Sequence, residues 1–228
     1  MKEPYNKGDE YEAKIFDILL KRGLIPKGSE RAGAGGKADT VFIHANVLYN
    51  LEVKNALEVD FGQKILRWSK DKKWHWSEDD DVTQLYTAVG VLDKINEKNI
   101  VPIKFNKPNA KITPEDKKLD QNAFEARTDI PFEALVKYYN GKGVFYIQIG
   151  NGFGFYHLGA DVANLGTQPF VASLSLRLRA KTVHSTQASN YGFYAVIKIK
   201  AEPKPPKSKF NLEPLSSKSF PPIKGSTS

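Results

Sequence analysis

The hydrophobic pattern near the start of the chain predicts a helix followed by a β-hairpin. From Asp9 to Arg22 apolar residues recur at helical spacing, and Gly23 is a plausible stop. Residues 40–44 and 47–53 are two short apolar or alternating runs separated by Ala45-Asn46, which is typical of two strands folded back on each other. We expect the helix to pack on a sheet that contains this hairpin.

The pattern of the later chain predicts further helices and strand pairs. They are a helix with Ser77 as N-cap and an apolar stripe from Val82 to Ile95, a short helix at 131–139, a hairpin of 144–149 and 153–158 around Gly150-Asn151-Gly152, and a strand pair at 172–181 and 191–200. The proline- and lysine-rich stretch 100–118 is expected to be irregular. Aromatic residues interleaved with lysines at 59–76 either stack on nucleic-acid bases or belong to the core.

These elements predict an α/β (α+β) fold with a central mixed β-sheet flanked by helices. We expect a single domain over residues 1–200, with a catalytic core at about 5–100 and an added C-terminal β-rich elaboration at about 130–200. Residues 201–228 are rich in Pro, Lys and Ser, which predicts a flexible tail outside the packed core.

Composition narrows the class of protein. The 228 residues carry a formal net charge of +8, and a polyanion is attracted to such a protein at long range, so nucleic acid is the expected partner. The absence of cysteine excludes disulfides, thiolate catalysis and cysteine-ligated zinc, and it fits a reducing cytoplasm. No apolar signal core opens the chain and no apolar run is long enough to span a bilayer, so we expect no membrane association.

The predicted hairpin brings two carboxylates and a lysine together. A turn at Ala45-Asn46 sets Asp39 opposite Glu52, and like charges at opposed positions repel unless a cation lies between them. Lys54 is two residues beyond Glu52 and therefore points to the same face. This combination is suited to phosphodiester hydrolysis with Mg²⁺, held by Asp39, Glu52 and the carbonyl of Val53. The alternative is a surface aspartate beside a structural Glu–Lys pair.

Glu12 lies near the start of the first predicted helix and has two interpretations. It is either a third carboxylate of the same site or half of a capping box with Asp9 as N-cap. The acidic run Glu78 to Asp81 is interpreted as the start of a helix, where negative charge is favoured, and not as a metal site.

Basic residues form two candidate surfaces for DNA. The glycine-rich loop from Lys27 to Lys37, which includes Arg31, either lets the backbone approach a phosphate or serves as a connector. The predicted strands at 172–181 and 191–200 place basic residues on the face opposite their apolar residues. That face is either a DNA-binding platform or an ordinary solvated face; its basic residues are Arg177, Arg179, Lys198 and Lys200.

The order of these features resembles the PD-(D/E)xK nuclease superfamily. Asp39 is followed after twelve residues by Glu52-Val53-Lys54, and a helix bearing Glu12 precedes both, with Ala38 in place of the usual proline. Over about residues 5–65 the order and spacing, beginning at Lys7-Gly8, are similar to archaeal-type Holliday junction resolvases. The overall size is closer to type II restriction endonucleases.

The resemblance implies a restriction-endonuclease-like fold and a DNA endonuclease. It implies Glu12, Asp39, Glu52 and Lys54 as the catalytic set, Mg²⁺ as cofactor with Mn²⁺ as a substitute, Lys7 near a phosphate, and Gln63 as the glutamine that some members place behind the Glu-x-Lys strand. A homodimer is expected, because two DNA strands must be cut. The role remains open between restriction-type cleavage, junction resolution, and DNA binding with an inactive site.

Overall fold

The protein is described by a computed structural model that covers residues 7–29, 31, 38–56, 59–69, 71–101, 103, 113–124, 126–171, 174–182, 193–201 and 207–213. In chain order the elements are α1 (Lys7–Lys21), β1 (Thr40–His44), β2 (Val47–Lys54), β3 (Val59–Trp68), β4 (Trp74–Trp76), α2 (Asp81–Ala88), α3 (Val91–Glu97), α4 (Pro114–Phe124), β5 (Ala126–Ile130), α5 (Phe132–Gly141), β6 (Val144–Ile149), β7 (Gly154–His157), β8 (Gln168–Pro169), β9 (Leu174–Thr182) and β10 (Phe193–Ala201). The fold is α+β. None of the helices in the described ranges has the length and apolar character that crossing a bilayer requires.

The chain divides into two compact units, although the sequence predicts one domain. The first unit combines the chain up to residue 57 with 135–172 and the chain from 201, and the second combines 58–134 with 173–200. Each unit has its own five-stranded sheet, in the order β1-β2-β6-β7-β8 for the first and β4-β3-β10-β9-β5 for the second. Each unit therefore depends on strands that are far apart in the sequence.

Helix α1 packs on the first sheet through the apolar stripe that the sequence indicates. Ile15 and Leu19 are fully buried in the same core as Phe42 of β1 and Leu51 of β2. The helix begins at Lys7, so Asp9 lies within its first turn and not at the N-cap. The capping-box interpretation of Glu12 is therefore wrong.

The β1–β2 hairpin has the predicted register. Its pairs run from Thr40 opposite Leu51 to His44 opposite Val47. Ala45 and Asn46 both have positive φ, 50° and 61°, as the tight turn that matches the twist of a hairpin requires. Asparagine tolerates this conformation well, and the pairing of the two strands holds alanine in it.

Strand β2 lies in the interior of its sheet, because β6 pairs with its other side. The pairing is parallel, with Glu52 opposite Ile147 and Lys54 opposite Ile149, so the sheet is mixed. The predicted hairpin around Asn151 is confirmed as β6 and β7. The prediction that residues 130–200 form an added elaboration is wrong for this hairpin, because it completes the sheet that carries β2.

The second unit confirms the predicted late strand pair as β9 and β10, which are neighbours in its sheet. Trp74 is 2% exposed and makes an edge-to-face contact with Trp68, and Trp76 packs on Tyr86. Trp74 therefore belongs to the packed interior of the unit, in agreement with the core interpretation, while Trp68 and Trp76 are half-buried.

Helix boundaries in the second unit differ from the sequence prediction. The N-cap is Asp80, not Ser77: its carboxylate accepts the N–H of Val82 and Thr83, and the Thr83 hydroxyl completes a capping box. The apolar stripe is divided between α2 and α3 at Gly90, whose φ of 74° ends helical geometry. Helix α4 occupies part of the stretch that was expected to be irregular, and it begins at Pro114, a residue favoured at a first helical position.

Residues 207–213 pack into the first unit, although the sequence predicts a flexible tail from residue 201. Leu212 is fully buried in the core beneath α1. The backbone pairs with the chain around β7, since the Ser208 N–H donates to the Phe153 carbonyl and the Phe155 N–H donates to the Phe210 carbonyl, both at 2.8 Å. Gly154 permits this approach, because a Cβ there would lie 2.3 Å from the Phe210 carbonyl oxygen.

Candidate functional site

The candidate site lies where β1 begins and β2 ends. Asp39 directly precedes β1, and its Oδ2 accepts a 2.8 Å hydrogen bond from the backbone N–H of Val53. This bond holds the carboxylate across the hairpin beside Glu52. The two acidic residues are therefore brought together by the register that the sequence predicts.

Lys54 lies between the two carboxylates. Its Nζ is 2.5 Å from Oε1 of Glu52 and 3.7 Å from Oδ2 of Asp39. Residues alternate between the two faces of a strand, so Glu52 and Lys54 share one face of β2 while Leu51 and Val53 enter the core beneath α1. The arrangement couples one ammonium to two carboxylates, as expected.

Tyr139 of α5 completes the surroundings of Glu52. Its hydroxyl donates to Oε1 of Glu52 at 3.1 Å, and both side chains are buried, with Glu52 8% exposed. Sequence reasoning missed this tyrosine. Residues 135 and 139 follow a helical apolar pattern that is compatible with any buried helix, and only the parallel pairing of β6 with β2 brings α5 to this place.

Electrostatics in the site favours a charged lysine. Burial alone would lower the pKa of Lys54, but Glu52 and Asp39 outweigh burial and raise it. Burial also raises the pKa of Glu52, against the opposing effect of Lys54, and burial keeps the pKa of Tyr139 well above its usual value. At neutral pH Lys54 is thus a cation and Tyr139 a neutral hydrogen-bond donor.

Glu12 belongs to the same electrostatic cluster. Its half-buried carboxyl has a pKa raised to about 7, first by burial and then by the negative charge of Asp39, with further contributions from Asp9 and Glu52. Lys54 opposes these effects. Glu12 is therefore within electrostatic range of the three hairpin residues, and its role as a third carboxylate of the site stays a prediction.

Glu12→Gln is expected to stabilise the metal-free protein at about pH 8 and to change it little at about pH 4. The folded protein retains a proton on Glu12 up to a pKa of about 7, whereas the unfolded chain releases it near the ordinary value of 4.5. Stability from this group is therefore full below 4.5 and lost as the pH rises through 7.

Calorimetry in the presence of a chelator measures this effect. Since the group is half exposed, we expect a rise in Tm of only about 2–4 °C at the higher pH. Glu10→Gln, an exposed neighbour on α1, is the matched control. An equal rise in both variants would assign the effect to the overall charge of the helix.

The carboxylates retain oxygens that can bind a cation. Among the hydrogen bonds and ion pairs of the described residues, those of Glu52 all reach Oε1 and those of Asp39 all reach Oδ2. Oε2 and Oδ1 remain, and hard carboxylate oxygens are the donors that Mg²⁺ takes, with water in its other positions. Within the described ranges no three acidic or histidine side chains form a ready-made metal cluster, so the fit rests on these two oxygens and the adjacent backbone.

The residues predicted to bind DNA are distributed over both units. Lys7 is exposed at the start of α1, and Arg31 is engaged with Asp9, donating to its Oδ1 at 2.7 Å and to its carbonyl at 3.0 Å. Lys37 lies outside the described residues. The other five lie on strands of the second unit: Gln63 on β3, Arg177 and Arg179 on β9, and Lys198 and Lys200 on β10. The structure brings none of these five into the sheet of the carboxylates.

Gln148 is a buried polar residue that the sequence prediction overlooked. It is fully buried in β6, where its Nε2 donates to the Tyr11 hydroxyl at 3.0 Å and to Oδ1 of Asn211 at 2.8 Å. Its Oε1 accepts the N–H of Leu212 at 3.0 Å. Gln148 thus connects the first sheet, residues 207–213 and the turn of α1 that carries Glu12. The sequence signal that could have identified this residue is a polar glutamine among the apolar residues of 144–149.

Comparisons with known proteins give no match, whether with family models, with characterised proteins or with solved structures.

Proposed function

We propose that this protein is a magnesium-dependent DNA endonuclease with a PD-(D/E)xK site and a restriction-endonuclease-like fold in its first unit. The observation that carries the proposal is the convergence of Asp39, Glu52 and Lys54 on one hairpin, with Lys54 within 3.7 Å of both carboxylates. A mixed sheet with α1 packed on it supports the same assignment.

Asp39 and Glu52, with the carbonyl of Val53 and with Glu12 as a third carboxylate, would hold the cofactor Mg²⁺, for which Mn²⁺ is a substitute. When bound, the ion supplies charge neutralisation at the scissile phosphate and a lowered pKa for a water molecule. Glu52 and Asp39 would contribute Oε2 and Oδ1, because Oε1 of Glu52 is bonded to Lys54 and to the Tyr139 hydroxyl, and Oδ2 of Asp39 accepts the Val53 N–H. Each carboxylate would therefore bind with one oxygen while the protein holds the other.

Lys54 acts in this proposal as a donor and not as a base, because its pKa is raised by the two carboxylates. The ammonium orients the attacking water and stabilises the negative oxygens that develop at phosphorus. The water oxygen forms the new bond to phosphorus, and the bond from phosphorus to the leaving sugar oxygen breaks. The proton of the water passes to solvent or to a deprotonated carboxylate of the site, and the leaving sugar oxygen takes a proton from solvent.

Nicking of supercoiled plasmid tests the proposal. We expect magnesium-dependent relaxation that a chelator abolishes and Mn²⁺ restores. The competing hypothesis, a DNA-binding protein with an inactive site, predicts plasmid binding without any nicking. Absence of nicking over a broad range of pH and salt, with binding intact, would favour that hypothesis.

The substrate class is proposed as duplex DNA cut in restriction fashion, because the chain carries a whole second unit beyond the site. Junction resolution is the second candidate, favoured by the order of α1, loop and hairpin. Discrete bands from a long linear duplex would support restriction. Preference for a four-way junction over linear DNA of the same sequence would support resolution. Either activity cuts two strands, so we propose a homodimer, which sedimentation of the protein with and without DNA measures.

Arg177→Ala combined with Arg179→Ala is expected to weaken DNA binding and to flatten its salt dependence. Each lost phosphate contact reduces counterion release, so the slope of log affinity against log salt should fall by about 1 for each arginine.

Fluorescence anisotropy of labelled duplex over a salt series measures the slope. Lys94→Ala with Lys98→Ala, on and just after α3, removes the same charge from the same unit and is the matched control. A slope that both double variants change equally would assign the effect to net charge.

A further inference from the structure

The surroundings of Glu52 are asymmetric between its two oxygens. Oε1 accepts the Tyr139 hydroxyl at 3.1 Å and lies 2.5 Å from the Lys54 ammonium. Among the described residues, none donates to Oε2. One oxygen of this carboxylate is thus used by the protein, and the other is available to a ligand.

The two donors differ in what they can do during a reaction. Lys54 is on the same strand as Glu52, is half-buried, and also lies 3.7 Å from Asp39, so its ammonium is shared. Tyr139 is 4% exposed and projects from α5, whose buried Leu135 anchors the same face of the helix. The position of the hydroxyl is therefore set by the packing of α5 and does not depend on Lys54.

A carboxylate that accepts a fixed hydrogen bond loses rotation about its terminal bond. Partners of this kind orient metal ligands and raise metal affinity. They reduce the reorganisation that a carboxylate would otherwise undergo as a cation binds.

We propose that Tyr139 is a positioning residue that holds Oε1 of Glu52 and presents Oε2 to the cation of the nuclease proposed above, on which this inference rests. It keeps Glu52 oriented while Lys54 turns to the scissile phosphate. Tyr139 acts only through Glu52 and contacts no reacting atom.

The test is Tyr139→Phe, which removes the hydroxyl and keeps the ring. Mn²⁺ binding to the protein without DNA, measured by electron paramagnetic resonance of free Mn²⁺, should weaken by about 10–100-fold. In the nicking assay the Mg²⁺ concentration for half-maximal rate should rise by a similar factor, while KM for DNA stays unchanged and saturating Mg²⁺ restores most of the rate.

Two control variants distinguish loss of the hydrogen bond to Glu52 from a general change in the packing of α5. Tyr138→Phe removes a hydroxyl from the same helix. That hydroxyl accepts a 3.4 Å hydrogen bond from Lys142, and the bonds of Glu52 to described residues do not include it. Leu135→Val creates a small buried cavity near Tyr139 and lowers Tm without removing a donor. Both should bind Mn²⁺ as the unmodified protein does.

The outcomes are distinguishable. If Tyr139→Phe binds Mn²⁺ with unchanged affinity and nicking is intact, the proposed role of Tyr139 is overturned and the nuclease proposal is retained. If Leu135→Val loses the same Mn²⁺ affinity, the effect is assigned to packing and the proposed role of Tyr139 is also overturned. Unmodified protein that neither binds Mn²⁺ nor nicks plasmid overturns the proposed function together with this inference.

Discussion

Asp39→Asn is expected to reduce magnesium-dependent plasmid nicking by about 10²–10³-fold while the fold and the affinity for DNA are retained. Asparagine has nearly the same shape, and its side-chain oxygen can accept the Val53 N–H that Oδ2 of Asp39 accepts at 2.8 Å. What is lost is the negative charge that binds the cation. Initial nicking rates at fixed Mg²⁺, with anisotropy of labelled duplex in Ca²⁺, measure the two effects separately.

The matched control for this prediction is Asp17→Asn, an exposed aspartate on α1 with no contact to the hairpin carboxylates among the described residues. It should nick at the unmodified rate. Nicking by Asp39→Asn at that same rate would remove Asp39 from the site and with it the central observation behind the nuclease assignment.

Lys54→Met is expected to destabilise the protein by about 3–5 kcal/mol at about pH 8, because it leaves the carboxylate of Glu52 buried without its counter-charge. Burial raises the pKa of Glu52, and Lys54 is the main effect that opposes this. In the variant the folded-state pKa therefore rises further above its ordinary value of 4.5. The loss of stability should be small near pH 4.5 and should grow as the pH rises through the folded-state pKa.

Urea denaturation at about pH 5 and about pH 8 measures the free energy of unfolding in both conditions. The double variant Glu52→Gln with Lys54→Met should recover much of the stability at the higher pH, because the buried charge is then absent. An equal loss at both pH values, or no recovery in the double variant, would show that packing of the lysine stem causes the effect.

The parts of the fold that local sequence determines could be predicted. The hairpin register follows from two short strands on either side of a two-residue turn, and the β6–β7 hairpin follows from Gly150-Asn151-Gly152. Both depend on contacts between residues close in the chain. Asp39, Glu52 and Lys54 could be brought together from sequence for the same reason.

The remainder depends on pairing between distant residues, which no local pattern encodes. Nothing near residue 50 indicates that 144–149 pairs with it in parallel, so neither the central position of β6 nor the approach of Tyr139 to Glu52 could be predicted. For residues 207–213 the sequence prediction failed in the opposite way, because it placed buried residues outside the core. Its proline-rich composition predicts a tail, but Leu212 occupies a buried position that only the folded unit defines.

The burial of Leu212 bears on how the protein is made. The core that supports the candidate site includes residues from α1, the hairpin, β6 and β7, and this last segment. During synthesis at the ribosome, the N-terminal site residues emerge long before residues 207–213. The core beneath the site therefore cannot be complete until residues 207–213 have also left the exit tunnel. Synthesis of the site residues and closure of the core that supports them are thus separated in time.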